Sequence, residues 1–346
     1  MADKSWLGQL KGSASEAKDR LSADAKERSA EAQRKGSIIL SQKDVLTGHW
    51  DASKVLFTTI DGQLRPITSD DLAAFRRNIK TAQSRLTKGI TAKQVIDWSL
   101  HDDRKRATEQ IKMAVPASAH NGTVRFITNA GPESLVSRHH IIVEFLNYGA
   151  EAASGSIDPR KSAMRLRHGP LKFECDCERH RYWYRYIATI GGFNAGRSEV
   201  GFPKIRNPKL QGIACKHILR VMSDIQSGGA ALGFLTKLMD KAKSSDVAKA
   251  ALRHKQEAAE KIVQNQSRRS AAIKTSDQKR LEKEAAQLKK SAIEAMKKAQ
   301  KPKKVKPVST NTGDADKREA KLRATMAKFG IEPTQEQIDK VRSNAK

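Results

Sequence analysis

The chain has 346 residues, 66 Lys and Arg against 38 Asp and Glu, and a net charge of +28. No segment approaches the roughly 18 consecutive apolar residues of a spanning helix, so a membrane span is excluded, and a charge this large favours contact with polyanions. Apart from Trp6 and Phe329, every Trp, Tyr and Phe lies between Trp50 and Phe234. Large buried side chains build cores, so a globular part over about 42–240 is expected between polar extensions.

Residues 8–35 are rich in Ala, Ser, Lys and Glu and read as part of a polar helical or disordered arm, 1–41. A helical subdomain is expected over 42–114. Val55 to Ile60 suits a short strand before the Asp61-Gly62 turn, and Ser69 and Thr91 sit where helix N-caps belong. A third helix over Asp102 to Met113 is stopped by Pro116. Thr123 to Thr128 and His140 to Leu146 read as strands separated by Asn129-Ala130-Gly131-Pro132, and 150–155 and 158–166 as short helices. An α+β core over 115–240, with a small antiparallel sheet, follows.

All three cysteines fall in one pattern, Cys175-x-Cys177 and then Cys215-x-His217. Two close pairs of soft donors about 40 residues apart make the ligand set of a structural Zn²⁺, and Cys₃His closes a tetrahedron. Lys172 to Cys177 reads as a strand with Phe173, Cys175 and Cys177 on one face. Arg181 to Ile190 reads as a second strand, and Cys215 to Ile225 as a helix. The unit so defined, about 170–225, resembles a SWIM-type zinc finger, whose pattern is Cys-x-Cys then Cys-x-His on a strand-strand-helix frame. The resemblance implies Cys175, Cys177, Cys215 and His217 as ligands and a role in DNA or protein interaction. The gap from Glu178 to Ala214 is long for that family, which leaves His168 or His180 open as a substitute ligand.

Strand alternation over 181–190 sets Arg181, Trp183 and Arg185 opposite the Tyr face. Turned outward, these three form a platform for stacking bases and binding phosphate. Lys216 and Arg220 widen that surface. The expectation is that Cys215→Ser unfolds the zinc unit whereas Arg185→Ala leaves it folded and weakens DNA binding. No spacing matches a nuclease, protease or phosphate-loop motif, so neither an enzyme nor a small-molecule substrate is expected.

From Lys241 to Lys346 there are 28 Lys and Arg against 13 Asp and Glu, a basic helical tail. Leu281, Ala285, Leu288, Ala292 and Ala295 form a weak coiled-coil seam, and a basic linker occupies 301–313. Short helices are expected around Pro333. Met1 to Lys11 has no apolar run, so folding in a reducing cytoplasm is expected. The stretch Val124 to Phe145 followed by His168 to Met222, between long Ala/Lys-rich arms, is similar to proteins of tailed-bacteriophage particles. That resemblance implies a virion component whose arms touch packaged DNA or other subunits.

Overall fold

The computed structural model describes residues 15–16, 18–24, 26, 39–48, 56–85, 89–154, 158–244, 250–269, 271–300 and 312–343. They fall into two units, Met1–Leu281 and Glu282–Lys346. Most of the N-terminal arm, Val55 and the basic linker as far as Asn311 lie outside the described residues.

The first unit opens with α1 (Gln42–Thr47), a small hairpin of β1 (Phe57–Thr58) and β2 (Arg65–Pro66), and the long helix α2 (Ser69–Arg85). Next come β3 (Ile90–Thr91), α3 (Ala92–Asp97), α4 (His101–Gln110), β4 (Ala114–His120), β5 (Thr123–Asn129) and β6 (Arg138–Phe145). After α5 (Tyr148–Ala153), α6 (Pro159–His168) and β7 (Pro170–Cys175), a π-helical turn at His180–Tyr184 runs into α7 (Arg185–Ile190). The unit continues through α8 (Lys216–Ser227), α9 (Gly229–Ser244), β8 (Ala251–Arg253) and α10 (Gln256–Ser267). Several helix starts are set locally. Ser41 and Thr91 accept from the backbone N–H three residues on, and the Asp44 and Gln94 side chains bond back to the caps. Pro159 opens α6 behind Asp158, whose carboxylate accepts from the Arg160 and Lys161 backbones.

The architecture is α+β. One antiparallel sheet of six strands has the order β3-β7-β6-β5-β4-β8, beside the β1-β2 hairpin. Register aligns Val124 with Val143 and Val143 with Phe173, and in the next row Phe126 with Ile141 and Ile141 with Cys175. These rows face α8, whose Ile218, Leu219, Val221, Met222 and Ile225 are wholly buried. The reverse face carries Val115 and Ile127, which pack against Ala259 of α10. The edge strands β3 and β8 are two and three residues long, which limits the open backbone they offer.

Three expectations need correction, and one strand, Ala114–His120, adds to them. Arg181 to Ile190 is helical, not a second zinc-unit strand. Tyr184, Arg185, Tyr186, Ile187 and Ala188 are all buried, so enclosure rather than strand pairing accounts for the apolar run. Ala114 to His120 forms a strand through Pro116, where the β4–β5 register shifts between Pro116 and Ser118 and removes the need for a proline N–H. Residues 42–114 are not a separate subdomain, because Leu72, Phe75 and Val95 share one core with Phe126 and Phe173. The compact part does not stop at residue 240: β8 adds to β4 and α10 covers the sheet.

Gln266 fastens that last segment by accepting from Ala114 N at 2.7 Å and donating to Ala114 O at 3.3 Å. Arg269 donates to Asp224 at 2.7 Å. Helix α11 (Ser276–Gln300) follows, its first residue bonded to Asp97 through both backbone and hydroxyl. In the second unit, α12 (Thr312–Ala327) and α13 (Gln335–Ser343) flank Pro333 as expected, and Arg342 donates to Glu319 at 2.8 Å. Among the described residues no helix is long and apolar enough to cross a membrane.

Candidate metal centre

Strand β7 ends on Cys175, and the chain turns at once into the helical segment, placing Cys177 just ahead of the π-turn. Arg181 N bonds to Cys177 O at 3.0 Å, and His180 N donates to Cys177 Sγ at 3.4 Å. The second pair sits on α8: Cys215 is its N-cap and His217 lies in its first turn. The result is a cluster in which one donor atom from each of Cys175, Cys177, Cys215 and His217 lies within 4.8 Å of the others, all four residues buried. His217 Nδ1 is 4.0 Å from Cys215 Sγ, and its Nε2 is buried with no hydrogen-bond partner among the described residues. Buried polar atoms are nearly always satisfied, so an orphan imidazole nitrogen among three thiols fits an electrophile held between them.

The electrostatics agree. Burial would raise the Cys215 thiol, but hydrogen bonding with Cys175 and Cys177, and from the Ile218 and His217 backbone, brings it well below its ordinary value. The N-terminal end of a helix favours that negative sulfur. Burial pushes Cys175 well up, and its two neighbouring thiols push the same way. Three sulfurs crowded without a cation resist sharing negative charge; a divalent ion removes the conflict. Burial also lowers His217, keeping the imidazole neutral and able to donate a lone pair. The four side chains are thus placed to hold a metal ion.

Sequence reasoning missed the support around this centre. Between Cys175 and Cys177, Asp176 meets His139 Nδ1 at 2.7 Å. His139 in turn lies against the His217 ring, centroid to centroid 4.2 Å. Burial works to raise the Asp176 carboxyl, but the hydrogen bond and charge of His139 together with His140 outweigh it, so the group stays below its ordinary value. The Arg138-His139-His140 run was visible in the sequence, but nothing in it indicated that β6 pairs with β7 to bring His139 there.

His180 and His168 are not in the cluster. His180 is fully buried with Nε2 3.2 Å from Glu174, and His168 is exposed at the end of α6. The outward platform is also corrected, because the segment is helical. Arg185 is buried against Glu174, and Arg181 points at Asp24, 3.6 Å away, with its side chain 10% exposed. The Trp183 face is covered by the Arg179 guanidinium at 3.6 Å. Lys216 donates to Gln110 at 2.6 Å. Arg220 is buried, donating to the Ile111 and Ala107 carbonyls at 2.7 and 2.8 Å, where it closes the end of α4.

No family model, no curated protein and no solved structure matches this chain.

Proposed function

We propose that the protein is a non-enzymatic, zinc-stapled binder of nucleic acid, DNA foremost. The observation that carries this reading is a buried Cys₃His cluster set inside a strongly basic compact unit. Three thiolates and an imidazole select Zn²⁺ over harder ions, and four protein ligands leave no position for an activated water. The ligand set is also what the SWIM resemblance implies. The charge belongs to the body as much as to the tail: residues 282–346 hold 17 Lys and Arg against 9 Asp and Glu, leaving 49 against 29 over 1–281. A body with a net charge of +20 attracts a phosphate backbone at long range. Reduced thiols suit a cytoplasmic location.

The test is metal content together with a salt series. Purified protein should carry one zinc per chain, and its affinity for a DNA oligonucleotide should fall linearly in log K against log salt. A zinc-free protein of unchanged stability, or DNA affinity indifferent to salt, would overturn the reading.

A second reading is favoured by one specific feature. Along α11, Leu281, Leu288, Ile293 and Met296 are 53–70% exposed. An assembly component, such as a bacteriophage virion protein, would cover them with another subunit, giving an oligomer that survives high salt.

A further inference from the structure

Beside the metal centre runs a groove of about 790 Å³ between α2, the end of α3, α7 and the loop that leads into Cys215. Its floor is apolar, with Leu100, Ile187 and Ile213, and its rim carries Trp98, Lys209 and Gln211. Trp98 is the C-cap of α3 and stays 40% exposed, although indole is among the largest apolar surfaces a chain can bury. Lys209 and Gln211 are exposed beside it, and Arg77 is exposed on the same helix as the lining residues Asn78 and Thr81.

The loop is held in shape at a cost. Leu210 has φ 49°, a left-handed conformation in which a bulky side chain is a real outlier, and Gly212 follows with φ 68°. Buried Asn207 fixes the loop by donating to Trp183 O at 3.2 Å and Gln211 O at 2.9 Å, and by accepting from Gln211 N at 2.9 Å. Asn78 ties it to α2 through Pro208 O at 3.1 Å. A Cβ on Gly212 would sit 2.8 Å from Leu100 and 3.2 Å from the Tyr184 ring. Strain locked by four side-chain hydrogen bonds, beneath an uncovered indole, is the construction of a preformed recess rather than of slack surface.

We propose that this groove seats one unpaired base of single-stranded nucleic acid, stacked on Trp98, with Lys209 on the adjoining phosphate and the Gln211 amide at the base edge. The inference rests on the nucleic-acid reading above and gives it a place and a strand type. An exposed aromatic face beside a recess accepts a splayed base and not a paired one, whose faces are already stacked. The cation at the rim and the positive charge of the body match a phosphate chain better than a neutral peptide. The metal ligands brace two walls: Cys215 follows the loop directly, and Cys177 begins the helical segment that contributes Ile187.

The experiment uses the full, zinc-loaded chain with labelled oligo-dT, a matched duplex and free thymidine monophosphate across a salt series, followed by ultraviolet crosslinking and peptide mass spectrometry. The parent should prefer oligo-dT over the duplex and crosslink through Trp98. Trp98→Ala should weaken oligo-dT binding about tenfold with an unchanged salt slope, and Trp98→Phe should restore most of it. Lys209→Gln, an exposed change safe for folding, should lower the slope by about one. Parent-like binding by Trp98→Ala and Lys209→Gln, with crosslinks confined to other segments, would overturn the groove while leaving nucleic-acid binding intact. Thymidine monophosphate binding equal to that of the oligonucleotide would make the groove a mononucleotide site and overturn the strand proposal. Absence of oligonucleotide binding by the parent even at low salt would overturn both.

Discussion

The guanidinium of Arg185 rests on the carboxylate of Glu174 inside the protein, Nε 2.9 Å from Oε1, with each side chain only 5–6% exposed. His180 approaches the same carboxylate at 3.2 Å and Asp24 approaches the guanidinium at 3.9 Å. Burial works to raise Glu174, but His180 and Arg185 together hold it below its ordinary value, so it is a charged group in the interior. Removing one partner leaves the other uncompensated. Arg185→Ala is therefore expected to cost about 3–5 kcal/mol, read as a shift of the urea midpoint. A variant as stable as the parent would show that water reaches the pair.

A metal held by Cys175, Cys177, Cys215 and His217 would contribute directly to folding, since the unfolded chain presents no such site. Cys215→Ser should lose the bound zinc and lower the melting temperature by more than about 8 °C, corresponding to a few kcal/mol. Native mass spectrometry checks the stoichiometry and calorimetry the stability. His168→Ala should keep the metal, because that side chain lies in solvent.

Acid should act on the β2–α2 corner only below about pH 3.8. Asp71 accepts from Arg65 and from Thr68, and its carboxyl is held down to about 2, chiefly by the arginine. A lowered carboxylate contributes stability above its unfolded value near 3.8, and that contribution is lost as pH falls toward 2. Because Arg65 is one-third exposed, solvent trims the gain to at most about 2 kcal/mol. Asp71→Asn should flatten the slope of stability against pH in that window and leave it unchanged from pH 6 to 8.

The Gln266 amide bonds both backbone groups of Ala114, replacing a strand neighbour with a side chain. Gln266→Ala strands a buried N–H and a C=O and should cost about 2 kcal/mol, whereas Gln266→Glu keeps the acceptor and loses the donor. Denaturant titrations of the two variants distinguish them by the size of the shift.

The metal ligands were legible in the sequence because thiol and imidazole chemistry narrows what four such residues at that spacing can do. Strands β5 and β6 were legible because alternation and a Gly-Pro turn bound them. Residues 181–190 were not. Tyr182-Trp183-Tyr184-Arg185-Tyr186-Ile187 alternates and is aromatic, which imitates a strand, while a helix enclosed on most sides offers no polar stripe to betray its period. Pro116 hid β4 by a rule that holds for regular ladders and fails at a bulge. Ala, Lys and Gln give no sign that 250–269 docks, because its anchors are a three-residue strand pairing, a small apolar patch at Ala259 and polar contacts, all to residues far earlier in the chain.

That docking imposes an order on synthesis. Gln266 lies 152 residues after Ala114, yet it completes the strand that begins there. On the ribosome, β4 through β7 emerge with Val115 and Ile127 bare and one sheet edge open, and they stay so until α10 has been made. The nascent chain therefore carries a sticky, unfinished sheet from the completion of β7 at Cys175 until Ser267 has been added, and a stop codon near residue 240 would leave that state permanent.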